Sequence, residues 1–220
     1  MTNINLLGLE IIICLFSIVL LYKILKIDGL YMFSIISFII SNIMSLKTIS
    51  LFNYDINLGI IPLISVFIST NIIVQQKGKE EIKKIILIII SSAIISYGVL
   101  YLNSVLNSSN INLFTNKSYD NIFLNSPRIY FASIVTLLYT LLISTHLYYY
   151  LKILKNKIIV SNLFSSIISQ FIAAILFPVL AYAFVKEPLD IIKLIIIRYI
   201  ISLIVSVLGT IPIYITNKLK

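Results

Sequence analysis

The chain has 220 residues, of which 60% are hydrophobic and 11% charged, with mean hydropathy +1.07 and formal net charge +9. That balance excludes a soluble globular domain and leaves no room for a separate soluble module. The positive charge does not mark a nucleic-acid binder either, because Lys and Arg collect in short segments between apolar runs, as the positive-inside bias predicts.

Seven apolar runs fill the sequence: 6–25, 30–46, 58–74, 82–102, 129–151, 163–185 and 191–215. A hydrocarbon core of about 30 Å takes about 20 helical residues to cross. Lipid forbids unpaired backbone groups, and the runs lack the period-two alternation of barrel strands, so each reads as a helix. The expected fold is all-α, a polytopic membrane helical bundle formed by residues 1–220 as one domain. The second run is the shortest, which sets the expected count at six or seven transmembrane helices.

The first run lacks a basic leader and an A-x-A-like site and continues past Leu20, so it reads as a span and not a cleavable signal. Cys14 lies within it. A lone cysteine excludes an intramolecular disulfide, and a packing role is expected. Gly29, Gly59 and Gly78 mark turns, while Pro127 and Pro188 sit at helix starts, where a missing N–H costs nothing. The segment 103–128, rich in Asn and Ser, reads as a surface loop.

Basic residues test the order of the spans. Lys23, Lys26, Lys77, Lys79, Lys83, Lys84, Lys152, Lys155, Lys157, Lys218 and Lys220 follow the odd-numbered runs. Lys47, Lys117, Arg128, Lys186 and Lys193 fall on the opposite side. The excess predicts an N-terminus outside and a C-terminus in the cytoplasm.

Polar residues inside spans are costly in lipid and are where function is sought. Asn71 and Gln75, four apart, share a helix face with Phe67. Two readings stay open for the pair: hydrogen bonds to a flat polar ligand, or interhelical bonds worth about 0.6 kcal/mol each. Gln170 shares a face with Ser166, Ala173, Ala174 and Phe177, and the same two readings apply. His146 precedes Tyr148, Tyr149, Tyr150 and Lys152, the pattern of an interfacial aromatic belt, and no acid in spans two to seven offers it a proton relay. Two readings stay open for Arg198, pairing with an anion in the interior or snorkelling toward the outer interface, and its place near the Lys193 end favours snorkelling. Glu10 is expected to be a hydrated anion near a helix N-terminus.

Enzyme chemistry is not predicted. Gly78-Lys79 lacks the upstream glycine of a phosphate-binding loop and runs into Glu80, so ATP hydrolysis by this chain alone is excluded. The single histidine has no placed acid for a Ser/His/Asp set, and no second His or Cys cluster offers a metal site. No catalytic residue, cofactor or metal is expected.

The order of short motifs carries a resemblance. Asp28-Gly29-Leu30-Tyr31, Ser41-Asn42-Ile43 with Lys47, and Thr70-Asn71-Ile72 before Lys77-Gly78-Lys79-Glu80 form its front half. Ser126-Pro127-Arg128-Ile129 with Ala132-Ser133, then Asn162, Ser165-Ser166 and Ser169-Gln170, then Thr210, Pro212 and Tyr214 form its back half. Together they resemble the queuosine precursor transporter family, also called the vitamin uptake transporter family. The resemblance implies a domain like the substrate-binding S-components of energy-coupling-factor transporters, and import of modified 7-deazaguanine bases. It carries over Asn42, Lys47, Arg128 and Gln170 as site or gating groups, with Gly78 as a turn. The family's Asp and Glu stand here as Asn71 and Gln75, and its ionisable positions near Leu141, Ser144, Ala173 and Ser202 are neutral. An uncharged hollow lined by carboxamides is therefore expected.

The function expected is import of a small aromatic, purine-like or vitamin-like solute. The binding residues are Asn42, Phe67, Asn71, Gln75, Arg128, Tyr139 and Gln170, with hydrogen bonds from the amides and stacking on Phe67 or Tyr139. The alternatives are a partner-dependent binding subunit and a non-transporting accessory protein. The first would use energising ATPase and membrane subunits, meeting the chain at Ala173–Ala174 or Ala181–Ala183. Partners are then membrane lipid and the solute, with no nucleic acid. Heavy use of Ile, Asn and Lys points to an AT-rich bacterial genome, hence the bacterial cytoplasmic membrane.

Overall fold

A helix of 42 residues, α1 (Asn3–Met44), opens the fold and turns back on itself. The structure is a computed structural model that describes residues 3–51, 54–107, 113–124, 126–155 and 158–219. Lys26 leaves the helical region with φ 53° and ψ −131°, and the chain reverses there. The reversal was expected at Gly29, which instead lets the two arms touch: a β-carbon on Gly29 would stand 2.3 Å from the Leu21 carbonyl oxygen. The arms, 3–25 and 27–44, are about 34 and 27 Å long at 1.5 Å per residue, so each can cross a hydrocarbon core.

A two-stranded antiparallel hairpin follows, β1 (Thr48–Leu51) and β2 (Tyr54–Asn57), pairing Thr48 with Asn57 and Leu51 with Tyr54. The remaining elements are α2 (Ile60–Lys77), α3 (Glu81–Val105), α4 (Leu113–Leu124), α5 (Pro127–Lys155), α6 (Ile158–Tyr182), α7 (Pro188–Leu208) and α8 (Thr210–Lys218). Six helices are long and apolar enough to cross a membrane, α7 and α8 counting as one. With α1 folded back, they make seven passes.

Hydrogen bonds gather the turns into two ends. At one end, Tyr22 Oη and the Gln76 amide bond each other at about 3 Å, Tyr31 donates to Glu81 at 2.5 Å, Lys26 donates to the Leu219 carbonyl at 2.9 Å, and Gln75 donates to Asn217 at 2.9 Å. At the other end lie the β-hairpin, α4 and the α6–α7 turn. Asn57 there donates to the Ser45 carbonyl at 2.6 Å and to Tyr182 at 3.3 Å. The segment 103–128 is thus not wholly loop, since α4 lies within it.

Side chains are arranged as lipid requires. Ile12, Phe16, Leu87, Ile95 and Phe131 are among the many large apolar residues exposed on the outside. Ser34, Ser65, Ser69, Thr140, Ser165 and Ser169 are fully buried between helices, where small residues permit close approach. Most of these hydroxyls return a hydrogen bond to a carbonyl three or four residues back on their own helix, as Ser34 does to Leu30 and Ser65 to Ile61. Helix α2 is the axis of the bundle: every residue from Ile60 to Gln75 is buried.

Candidate functional site

Because α2 is enclosed on all sides, Phe67, Asn71 and Gln75 all lie inside the protein, yet in different circumstances. Phe67 packs in the main apolar core. Gln75 is fully engaged at the lysine-rich end, donating to Asn217 at 2.9 Å and accepting from Tyr148 at 3.1 Å, while Lys152 donates to its backbone carbonyl at 3.1 Å. The interhelical reading therefore describes Gln75. Asn71 bonds Asn162 of α6 at 2.9 Å, and this pair leaves the Asn71 Oδ1 and Asn162 Nδ2 atoms buried without a partner. Turning both amides over leaves the same remainder, one acceptor and one donor. Gln170 Nε2, further along α6, is also buried and unanswered.

The other expected residues are dispersed. Asn42 donates to the Phe38 carbonyl at 2.9 Å, and its Oδ1 is buried without a partner. Arg128 caps the C-terminal end of α6, donating from Nε to the Leu180 carbonyl at 2.9 Å and from a terminal nitrogen to the Ala183 carbonyl. Tyr139 is 54% exposed on the outer face of α5, away from the buried amides. Lys47 is exposed at the hairpin end. Ala173, Ala174 and Ala181, expected to offer a surface to a partner, are buried within this chain instead. Glu10, expected to be hydrated, has one carboxylate oxygen buried without a partner.

Arg198 is the main departure from expectation. It does not snorkel: the residue is 7% exposed, and its guanidinium lies 4.4 Å above the Phe177 ring. The described residues contain two ion pairs within 4.0 Å, Lys84–Glu81 and Lys193–Asp190, so no carboxylate answers Arg198 in that range. It lines a cavity with Phe177, Pro178 and Tyr182 of α6 and with Asp55 and Asn57 of the hairpin, whose second strand closes the top. The cavity volume is about 10 Å³, room for about one water. Pro178 brings no N–H to its helix, so the Ala174 carbonyl below the cavity loses its usual donor.

The interior is therefore not uncharged. Arg198, Ser202 and Ser206 are spaced by four along α7 and are all buried. That polar stripe, amid Ile, Leu and Val at the flanking positions, was the sequence signal for an inward-facing arginine. Asn162 stood in a motif without being singled out, and the hairpin residues Asp55 and Asn57 carried no signal of their own.

Chemically, this arrangement suits recognition. It offers a desolvated cation on an aromatic face and amides with unspent donors and acceptors. Among the described residues no group of three or more His, Cys, Asp or Glu side chains is placed to hold a metal ion. A family model described as "Putative vitamin uptake transporter" matches residues 57–216. No curated protein and no solved structure matches the chain.

Proposed function

The chain belongs to the vitamin uptake transporter family, and from that premise we propose that it imports a small, flat, vitamin-like solute that presents an anionic or acceptor-rich edge to Arg198. One observation carries this reading: a cation buried in the bundle that, among the described residues, has no carboxylate within 4.0 Å, Asp55 lining the same cavity beyond that range. Burying an unpaired charge costs several kcal/mol, about 3–5 when one partner of a buried pair is absent. A site that keeps such a charge is poised for a partner that arrives with the solute. The solute approaches from the hairpin end, which the charge bias places outside. Strand β2 is the lid, because the cavity beneath it is too small for a ring compound until the strand withdraws. Asn71, Asn162 and Gln170 offer the next polar contacts along the interior.

The resemblance favours purine-like or other conjugated heterocycles, and the description of the matching family model favours a vitamin-like solute. A second reading makes the chain a binding subunit energised by separate ATPase and membrane subunits. Its support is the resemblance to the substrate-binding S-components of energy-coupling-factor transporters. Uptake by the purified protein in ATP-depleted proteoliposomes would exclude it.

The direct test measures uptake of paired ring solutes that differ by a carboxylate, nicotinate against nicotinamide and orotate against uracil. A charged hydrogen bond is worth about 1.5–3 kcal/mol, so Arg198→Gln should slow uptake of the carboxylate member at least about tenfold. Asn71→Leu and Gln170→Leu should abolish uptake while the protein still inserts. Wild-type rates for every solute in Arg198→Gln would remove this site.

A further inference from the structure

The lysine-rich end holds a second feature that the solute reading does not use. Between the α2–α3 turn and α5 lies an open cleft of about 830 Å³. Lys77, Lys79 and Lys83 line it with His146 and Tyr149, against one acid, Glu80. Gly78, at φ 97°, makes the turn that puts Lys77 and Lys79 on the same cleft. Its neighbour Glu81 is already engaged, accepting from Tyr31 at 2.5 Å with Lys84 at 3.7 Å. The cleft is thus a net positive pocket at the mouth of two helices.

The cleft does not end there. A second groove, about 480 Å³, shares Lys83 and Leu142 with it and continues between α3 and α5. Its walls are Ile86, Ile90 and Ile94 on α3 and Leu138 and Leu142 on α5. Ile86, Ile90 and Ile94 recur every four residues, three residues beyond Lys83, forming one stripe along the helix. From Lys83 to Ile94 the groove runs about 16 Å at 1.5 Å per residue. One leaflet of a hydrocarbon core about 30 Å thick is about 15 Å deep.

A positive pocket at the interface that opens into an apolar groove one leaflet deep matches one chemical shape. We propose that this composite site binds an anionic phospholipid. Its phosphate sits among Lys77, Lys79 and Lys83, and one acyl chain lies along Ile86, Ile90 and Leu138. Basic pockets between transmembrane helices hold lipid head groups in this way. Charge complementarity selects the anionic head, and the groove's length and apolar walls select a membrane lipid over a soluble phosphate. The bound lipid wedges α3 against α5 beside the α2–α3 turn. This assignment does not depend on the solute bound at Arg198.

The test uses the full chain purified in a neutral detergent. Phosphatidylglycerol and phosphatidylcholine of the same chain length are titrated, and bound lipid is read by native mass spectrometry. Phosphatidylglycerol should bind more tightly. Lys79→Gln and Lys83→Gln should each weaken it about fivefold, the value of one lysine near an anionic lipid surface, and Lys→Arg at both positions should restore it. Ile90→Trp, which fills the groove, should also weaken phosphatidylglycerol without lowering the melting temperature of lipid-free protein. Equal binding of the two lipids would overturn the proposal, as would unchanged binding in the Gln variants. Equal competition by sn-glycerol 3-phosphate would assign the pocket to soluble phosphates instead. Insensitivity to Ile90→Trp would leave a head-group site without the tail groove and defeat the assignment as stated.

Discussion

Gln75 and Arg198 are both polar, both buried and both within membrane passes, but the protein answers them differently. Gln75 ties α2 to α5 and α8: its side chain meets Tyr148 and Asn217, and its backbone carbonyl meets Lys152. Gln75→Leu would strand the Tyr148 hydroxyl and the Asn217 amide, at about 1–3 kcal/mol for each group left unsatisfied. The expected outcome is a lower melting temperature in detergent, with the protein that remains folded keeping its preference among solutes. Arg198→Gln should behave in the opposite way, because removing an unpaired buried charge is neutral or stabilising. Its melting temperature should hold or rise while carboxylate uptake is lost. Thermal unfolding and uptake measured on the same two variants separate the roles, and a large drop in melting temperature for Arg198→Gln would make that arginine structural. Sequence spacing brought Asn71 and Gln75 to one helix face but could not divide their duties, because Tyr148 and Asn217 come from distant segments of the chain.

At the scale of elements, the α1 hairpin and the β-hairpin were read unequally. The apolar runs 6–25 and 30–46 predicted two passes, and the two arms are there, with the turn displaced to Lys26. A glycine at 29 signals a turn by composition, whereas its actual use is close approach of the arms. Gly29→Ala would press a methyl against the Leu21 carbonyl at 2.3 Å, which backbone atoms relieve only by moving the arms apart. Overpacking of that kind costs about 1–3 kcal/mol. Gly98 in α3 has nothing within 4 Å of the position its β-carbon would take, so Gly98→Ala should be neutral or stabilising by up to about 1 kcal/mol. Melting temperatures of the two variants against wild type check the contrast, and an equal loss in both would show that the arms are not close-packed at Gly29. The β-hairpin was not legible, since its strands are four residues each and sit between two apolar runs like any short loop. Its position is set by tertiary bonds that no local pattern announces, from Asn57 to the Ser45 carbonyl and to Tyr182, beside the local bond in which Asn57 Oδ1 accepts from the Gly59 N–H at 3.0 Å.

For the whole molecule, the bundle was legible because lipid imposes length and composition on every pass. Its interior was less so, because α2 is buried all round and its polar residues Asn71 and Gln75 meet partners from distant segments. The charge pattern joins these two facts. The structure gathers Lys23, Lys26, Lys77, Lys79, Lys83, Lys84, Lys152 and Lys218 at one end, as tied together by the bonds from Tyr22, Tyr31, Lys26 and Gln75. Lys47, Arg128, Lys186 and Lys193 lie at the other end, where Asp55, Glu187 and Asp190 offset them. With seven passes, Asn3 and Lys218 must lie on opposite sides of the membrane. The positive-inside bias predicts the lysine-rich end in the cytoplasm and the Arg198 cavity toward the outside, the orientation that the import proposal needs. A cysteine-accessibility experiment decides it. In a Cys14→Ala background, Ser50→Cys, exposed on the β-hairpin, should react with a membrane-impermeant maleimide in intact cells. Lys218→Cys, exposed at the other end, should react only after the membrane is opened. Labelling of both in intact cells would contradict the odd number of passes. The reverse pattern would keep the fold but turn the Arg198 cavity toward the cytoplasm, and uptake through a site that faces inward under its lid would then have no outer door.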